Sequence, residues 1–294
     1  MLFRSDRPPT RAILRFDGVE GAAAVWLNGV LVGSTRGSRL RTDFEVGDLL
    51  LEGANALVVR VHQFSAASYL EDQDCWWLPG IIRTVTLRER PEGAIDDVHV
   101  VAGWTESGAT LHVTVETAAS EIDARIVELG RAVPLGATVP VPGVRPWSAE
   151  SPACYTLRVR TPGEVVELTI GFRTVTIAGG IFMVNGAPVQ LRGVDRSEHH
   201  PEHGRHVPAE VVARELALMK RSNINAIRTS HYPPDPLVLD LADRLGLWVL
   251  EEADVETHGF GPLGWHANPI DDAAWEPALR DRVARMVEIG RAHV

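Results

Sequence analysis

The chain has 294 residues, 45% hydrophobic and 23% charged, with a formal net charge of −10. That balance excludes a disordered chain, leaves room for two or three domains, and disfavours nucleic acid or an anionic membrane as partner. No apolar run is long enough to span a bilayer, and two cysteines, Cys75 and Cys154, cannot build a disulfide framework, so a cytoplasmic protein is expected.

The opening Met1-Leu2-Phe3-Arg4-Ser5-Asp6 has neither the basic nor the apolar region of a signal peptide. Short apolar runs then alternate with Gly, Pro and Asp: Ala12-Ile13-Leu14-Arg15-Phe16, Ala24-Val25-Trp26-Leu27, Ala56-Leu57-Val58-Val59-Arg60-Val61 and Thr84-Val85-Thr86-Leu87. Period-two alternation puts every second side chain on one sheet face. Asn28-Gly29 reads as a hairpin turn, because both residues tolerate positive φ. Arg90-Pro91-Glu92-Gly93 reads as a linker, followed by strands over 97–102, 110–116, 154–160 and 165–170. These suggest a small β-sandwich punctuated by Pro140, Pro142, Pro146 and Pro152.

After Gly179-Gly180 the pattern changes. A hairpin over 182–191 ends in a strand over 190–194, and Pro208 opens a helix with an apolar stripe at Val211, Val212, Leu216 and Met219. A buried strand over 225–229, a helix over 237–244 closed by Gly246, a strand over 247–250 and a helix over 275–288 follow. Strand and helix alternate, which implies parallel strands in an open sheet or a barrel; about three βα units are present where a closed barrel has eight.

Seven of the eleven histidines lie between His199 and His266. In Glu198-His199-His200-Pro201-Glu202-His203-Gly204-Arg205-His206, three readings are open. One is a zinc site, although Pro201 and Gly204 break the helix that a His-x-x-x-His pair needs. The others are a solvated loop and a substrate-binding loop at a barrel rim. His231 directly follows a strand and would reach the same rim, as would Arg228, whose alternative role is a structural ion pair. The run Glu251-Glu252-Ala253-Asp254-Val255-Glu256-Thr257-His258 offers four carboxylates and an imidazole. Glu256 and His258, two apart in extended chain, point the same way and suit Mg²⁺ or Mn²⁺; a solvated acidic loop is the alternative.

The stretch Asn225-Ala226-Ile227-Arg228-Thr229-Ser230-His231-Tyr232-Pro233, with Asp243-Arg244-Leu245-Gly246-Leu247-Trp248-Val249-Leu250 after it, resembles glycoside hydrolase family 2, and within it the β-galactosidases. Leu191-Arg192-Gly193-Val194-Asp195-Arg196-Ser197-Glu198-His199-His200-Pro201 resembles the family's first barrel strand and loop. Ser68-Tyr69-Leu70-Glu71-Asp72-Gln73-Asp74-Cys75-Trp76 resembles the loop that its sugar-binding domain sends into the active site. The resemblance implies a multidomain β plus α/β chain. A jelly-roll sugar-binding domain with its N-terminus missing would span 1–90 and an immunoglobulin-like β-sandwich 91–178. The N-terminal part of a (β/α)₈ TIM barrel would span 179–294. It implies retaining hydrolysis of terminal β-D-galactosides by two glutamates. Asp74, His231 and His199 would bind substrate, Glu256 and His258 would bind Mg²⁺, and Asp74 would also bind Na⁺. The full-length enzyme would be a homo-oligomer.

Two departures stand out. Ser197 occupies a position where close β-galactosidases often carry histidine. No Asn-Glu pair, the family's acid/base motif, occurs anywhere. The chain is therefore expected to be a fragment, inactive alone, with the acid/base and nucleophile glutamates both lying beyond Val294. The tail 288–294, which ends on Val294, is read as sequencing-adapter translation. The alternatives are a β-glucuronidase or other member of the family, and a non-catalytic carbohydrate-binding protein.

Overall fold

The computed structural model describes residues 1–5, 9 and 11–291. Of the tail read as adapter translation, Glu288 to Arg291 continue the last helix, whereas Ala292, His293 and Val294 lie outside the described residues. The first unit packs two antiparallel sheets face to face. One runs in the order Leu2–Ser5, Gly53–His62, Ala22–Leu27, Val30–Thr35, and the other Val85–Glu89, Ala12–Phe16, Thr42–Glu45. Ala12, Leu14 and Phe16 alternate inward and meet Val25, Leu27, Phe44 and Leu57 in one core. The Asn28-Gly29 turn has φ of 51° and 84°, as a two-residue hairpin requires.

The segment 90–93 is not a loose linker. Arg90 is buried and its Nη2 donates to Ile95 O (2.9 Å) and Asp96 Oδ1 (2.7 Å). Beyond it, Ile95–Thr105, Gly108–Thr117 and Val139–Pro140 form one sheet. Arg131–Ala132, Asp123–Ile126, Cys154–Arg160 and Val165–Gly171 form the other, and Leu111, Val113, Ile126, Leu157 and Phe172 fill the space between.

The division expected at 178–179 falls inside a hairpin. Val175–Ala178 pairs antiparallel with Ile181–Val184, and Gly179 and Gly180 (φ 58° and 78°) are its turn. The glycines mark the reversal of one ribbon. The βα region follows. Gly193–Asp195, Ala226–Arg228 and Trp248–Leu250 lie parallel in that order, so the first strand starts later than the sequence pattern indicates. Helix α1 (Ala209–Arg221) and helix α2 (Pro236–Leu245) link them, and α3 (Glu276–Arg291) follows the third. Val212 and Leu216 of α1 and Val238 and Ala242 of α2 pack on Ile227. Asp235 caps α2 by accepting from Leu237 N (2.9 Å), and Gly246 ends it in the left-handed region.

Two seams weld these units. On one, Trp147 Nε1 of the second sandwich donates to Asp243 O (2.8 Å), and Lys220 Nζ reaches both Ala149 O and Gly246 O. On the other, Glu71–Asp72 of the first unit pairs in parallel with Glu256–Thr257. Among the described residues no helix is long and apolar enough to cross a membrane.

Candidate active site

The three parallel strands deliver their C-terminal ends to one rim, where such folds place their chemistry. Asp195 and Arg228 are register partners, and Arg228 pairs in turn with Leu250, one residue before Glu251. The backbone continues this order beyond the strands. Thr229 N donates to Leu250 O (3.0 Å), and Glu252 N to Thr229 Oγ1 (3.1 Å). Glu252 is thereby held beside Arg228 and His231. Arg228 Nε donates to Glu252 Oε1 (2.5 Å), Arg228 Nη1 to Asp195 Oδ2 (3.4 Å), and His231 Nδ1 lies 2.9 Å from Glu252 Oε2.

Glu256 approaches the same ring nitrogen of His231 from farther off. Its Oε2 is 3.9 Å from His231 Nδ1, and its Oε1 is 3.9 Å from Nδ1 of His258. Glu256 Oε2 is buried without a hydrogen-bond partner, a costly state for a carboxylate oxygen and one that a cation or water relieves. His258 is more than half exposed. Among the described residues no group of three His, Cys, Asp or Glu is arranged to hold a metal ion.

The acidic run is not a solvated loop. Asp254 is fully buried and accepts from Arg39 N (3.1 Å) and Gln73 Nε2 (3.1 Å), both from the first unit. Asp72 Oδ2 accepts from Gly259 N (2.6 Å), so the segment 70–73 is fastened to 254–259 at three points: the two-residue ladder, Gln73 and Asp72. Asp74 follows at once and is exposed. Its neighbour Trp76 is 73% exposed and meets the His199 ring edge-on at 5.5 Å.

His199 sits apart from the His231–Glu256 group. Its Nε2 is 3.0 Å from Arg205 Nη1. Burial holds its pKa below the ordinary histidine value, with Arg39 adding to this and Glu20 opposing it. Among the neighbouring histidines, His200 Nδ1 accepts from the backbone N–H groups of Glu202 and His203 (3.2 Å each), a turn-stabilising role in place of the zinc reading.

Behind the rim lies a buried charged layer shared by two units. Glu20 accepts from Arg205 Nε (3.0 Å) and Arg39 Nη2 (3.3 Å), and Arg83 Nη2 donates to Glu198 Oε2 (2.8 Å). Arg39 and Arg205 lie over the Tyr232 ring at 4.3 and 5.1 Å. Burial pushes the Tyr232 hydroxyl up to about 12, so it stays neutral and accepts from Glu198 N (2.9 Å). Ser197 Oγ donates to Ser230 O (2.8 Å), which braces the residue before His231.

Sequence reasoning singled out His231, Glu256 and His258, and the structure brings these three together. Glu252 stood among four carboxylates with no role of its own; only the chain's path after the strand shows that it is the partner of His231. Its position two residues beyond a strand end, on the strand next to the one that carries Arg228, was the available signal. The two catalytic glutamates were expected beyond Val294, itself outside the described residues, so the structure neither places them nor bears on where they lie.

A β-sandwich loop laid over the C-terminal rim of three parallel βα strands, with histidines and carboxylates converging there, defines a multidomain β plus α/β protein. The family models that match are "Glycosyl hydrolases family 2, sugar binding domain" over residues 6–91 and "Glycosyl hydrolases family 2, TIM barrel domain" over 175–294. The chain belongs to glycosyl hydrolases family 2. It is 53% identical to a β-galactosidase of Arthrobacter sp., across 95% of this chain and 28% of that protein. With a β-galactosidase of Enterobacter cloacae it shares 39% identity, across 95% and 30%. The chain thus spans under a third of the length of these relatives. Among solved structures, a β-glucuronidase from Ruminococcus gnavus matches with a TM-score of 0.86 at 21% identity, covering 100% of this chain and 55% of that one. A Faecalibacterium prausnitzii β-glucuronidase matches at 0.80 and 24%, covering 100% and 56%. At such identities the likeness is one of fold.

Proposed function

We propose that this chain serves a β-galactosidase, hydrolysing terminal β-D-galactosides with retention of configuration. The observation that carries the reading is the convergence of His231, Glu256 and His258 under the fastened loop 70–76. It occurs in a chain 53% identical to a β-galactosidase. In this reading His231 holds the sugar from the strand side, and Asp74, next to the fastened segment 70–73, and His199, against Trp76, are the further substrate contacts. A cytoplasmic location and a homo-oligomeric whole enzyme belong to the same reading, and the two cysteines are free thiols.

Retaining hydrolysis needs two carboxyl groups about 5–5.5 Å apart, flanking the scissile bond. Glu251, Glu252, Asp254 and Glu256 all follow a single strand; Asp254 is sealed away and Glu252 is spent on Arg228 and His231. In the proposed enzyme neither Asp254 nor Glu252 is therefore the acid/base or the nucleophile. The Glu256 carboxylate, with Oε2 orphaned and Oε1 3.9 Å from the His258 imidazole, fits a divalent cation completed by oxygen ligands. Glu256 and His258 would hold Mg²⁺, whose positive charge supports the ionised state of carboxyl groups around it. For Na⁺ the described residues fit less well, since Asp74 brings one exposed carboxylate and belongs to no three-residue cluster.

The test is an assay of the enzyme translated from the complete source reading frame, and of residues 1–294 alone, against chromogenic β-galactoside and β-glucuronide. Turnover of the galactoside by the complete enzyme only is expected, with kcat/KM lowered at least tenfold (about 1.4 kcal/mol) by His231→Asn. Preference for the glucuronide, or no hydrolysis of either, overturns the reading.

A further inference from the structure

We infer that Glu252 is a positioning residue that fixes His231 as its Nδ1–H tautomer and so presents Nε2 as a hydrogen-bond acceptor to a substrate hydroxyl. A neutral imidazole has one donor and one acceptor nitrogen, and a carboxylate only accepts. His231 Nδ1 lies 2.9 Å from Glu252 Oε2, a hydrogen-bond distance. With a lone pair at Nδ1 the two acceptors would repel at that separation, so the proton sits on Nδ1.

Arg228 Nη2, 3.3 Å from the same nitrogen, is the competing donor. It loses on distance, and the guanidinium is held in place by its other two nitrogens, Nε on Glu252 Oε1 and Nη1 on Asp195 Oδ2. Arg228 therefore neutralises and aims the carboxylate, and the carboxylate aims the ring. The arrangement is fixed from behind by Glu252 N on Thr229 Oγ1 and by Ser197 Oγ on Ser230 O. Glu256, at 3.9 Å, is too far to claim the Nδ1 proton. In the neutral ring Nε2, across from Nδ1, then keeps its lone pair. A group fixed in this way selects a ligand hydroxyl that donates, and it disfavours one that can only accept.

The part of this inference that concerns substrate rests on the function proposed above; the tautomer does not. It is read by ¹⁵N NMR on histidine-labelled polypeptide 1–294, metal-free and mildly alkaline, with His231→Gln assigning the signal. Protonated and unprotonated ring nitrogens differ widely in ¹⁵N shift. Wild type is expected to show the protonated-type shift at Nδ1 and the unprotonated-type shift at Nε2. Glu252→Ala is expected to exchange the two, while the remaining histidine signals stay in place. An Nε2–H tautomer in wild type overturns the inference by itself, even if the variant does not fold. So does an Nδ1–H tautomer that survives Glu252→Ala. No substrate is present in the measurement, so a wrong substrate class and a wrong tautomer give different failures.

Discussion

Glu256 donates its backbone N–H to the Leu70 carbonyl across 2.7 Å, joining the rim of the βα sheet to a loop of the first β-sandwich. From there the join runs on as a parallel ladder, Glu71 opposite Glu256 and Asp72 opposite Thr257. The backbone that carries the Glu256 carboxylate is therefore set by a strand from another domain. A change in the loop moves the site without touching a residue that faces substrate.

Gly259→Ala tests that join. A Cβ there would lie 2.2 Å from Asp72 Oδ2, the acceptor of the Gly259 N–H. The carboxylate must leave, and its bond to the barrel loop is lost. A destabilisation of about 1–3 kcal/mol is expected, seen as a lower urea midpoint. An unchanged midpoint would show that the loop is not held there.

Gly246→Ala tests the other seam. Gly246 has φ 75°, and its added Cβ would meet Ala149 O at 2.2 Å, a backbone atom that cannot swing aside. Strain and collision act together, for a loss of about 2–3 kcal/mol. Differential scanning calorimetry should show the second sandwich and the βα region losing their shared transition; a single transition at the wild-type temperature contradicts this.

Replacing Asp254 by Ala leaves two donors, the Arg39 backbone N–H and Gln73 Nε2, without this acceptor and removes a negative charge beside the buried Arg39 guanidinium. Breaking one side of a buried charged network costs about 3–5 kcal/mol. Asp254→Asn keeps one acceptor oxygen and should lose less. Chemical denaturation ranks the two variants, and equal losses would argue that charge, not hydrogen bonding, dominates.

Acid should loosen the interface through Glu198. Burial alone would raise its pKa, but Arg83, the Asp235 N–H and Arg196 together hold it below the ordinary glutamate value. A depressed folded-state pKa means that this contribution is complete above the unfolded value, about 4.3, and is lost as pH falls below it toward the folded value. Stability measured down through that window should fall less steeply in Glu198→Gln than in wild type. Parallel slopes would assign acid sensitivity to other carboxylates.

Much of this architecture was legible because its signals are local. The alternation of Ala12, Leu14 and Phe16, the Asn28-Gly29 turn and the Gly246 stop each follow from a few residues and their backbone preferences. The Gly179-Gly180 pair was ambiguous because a two-residue turn and a linker use the same residues; the pairing of Val175–Ala178 with Ile181–Val184 shows the turn. His231, Glu256 and His258 could be picked out by type and placement beyond strands. Glu252's partnership with His231 could not, since four carboxylates in eight positions are equivalent until the backbone assigns each a direction. Asp254 is the sharpest instance, a carboxylate amid an acidic run that ends fully buried against Arg39 and Gln73.

The Gln73–Asp254 bond spans 181 residues of sequence. At ribosomal speeds of about 5–20 residues per second, roughly 10–40 s pass between the synthesis of the two partners. Throughout that interval the loop carrying Glu71, Asp72 and Asp74 has no ladder to join and must stay in water. Its three carboxylates suit that wait, for an apolar loop would be free to pair with another nascent chain. The acidity that later frames a binding site thus also keeps the chain solitary while it is being made.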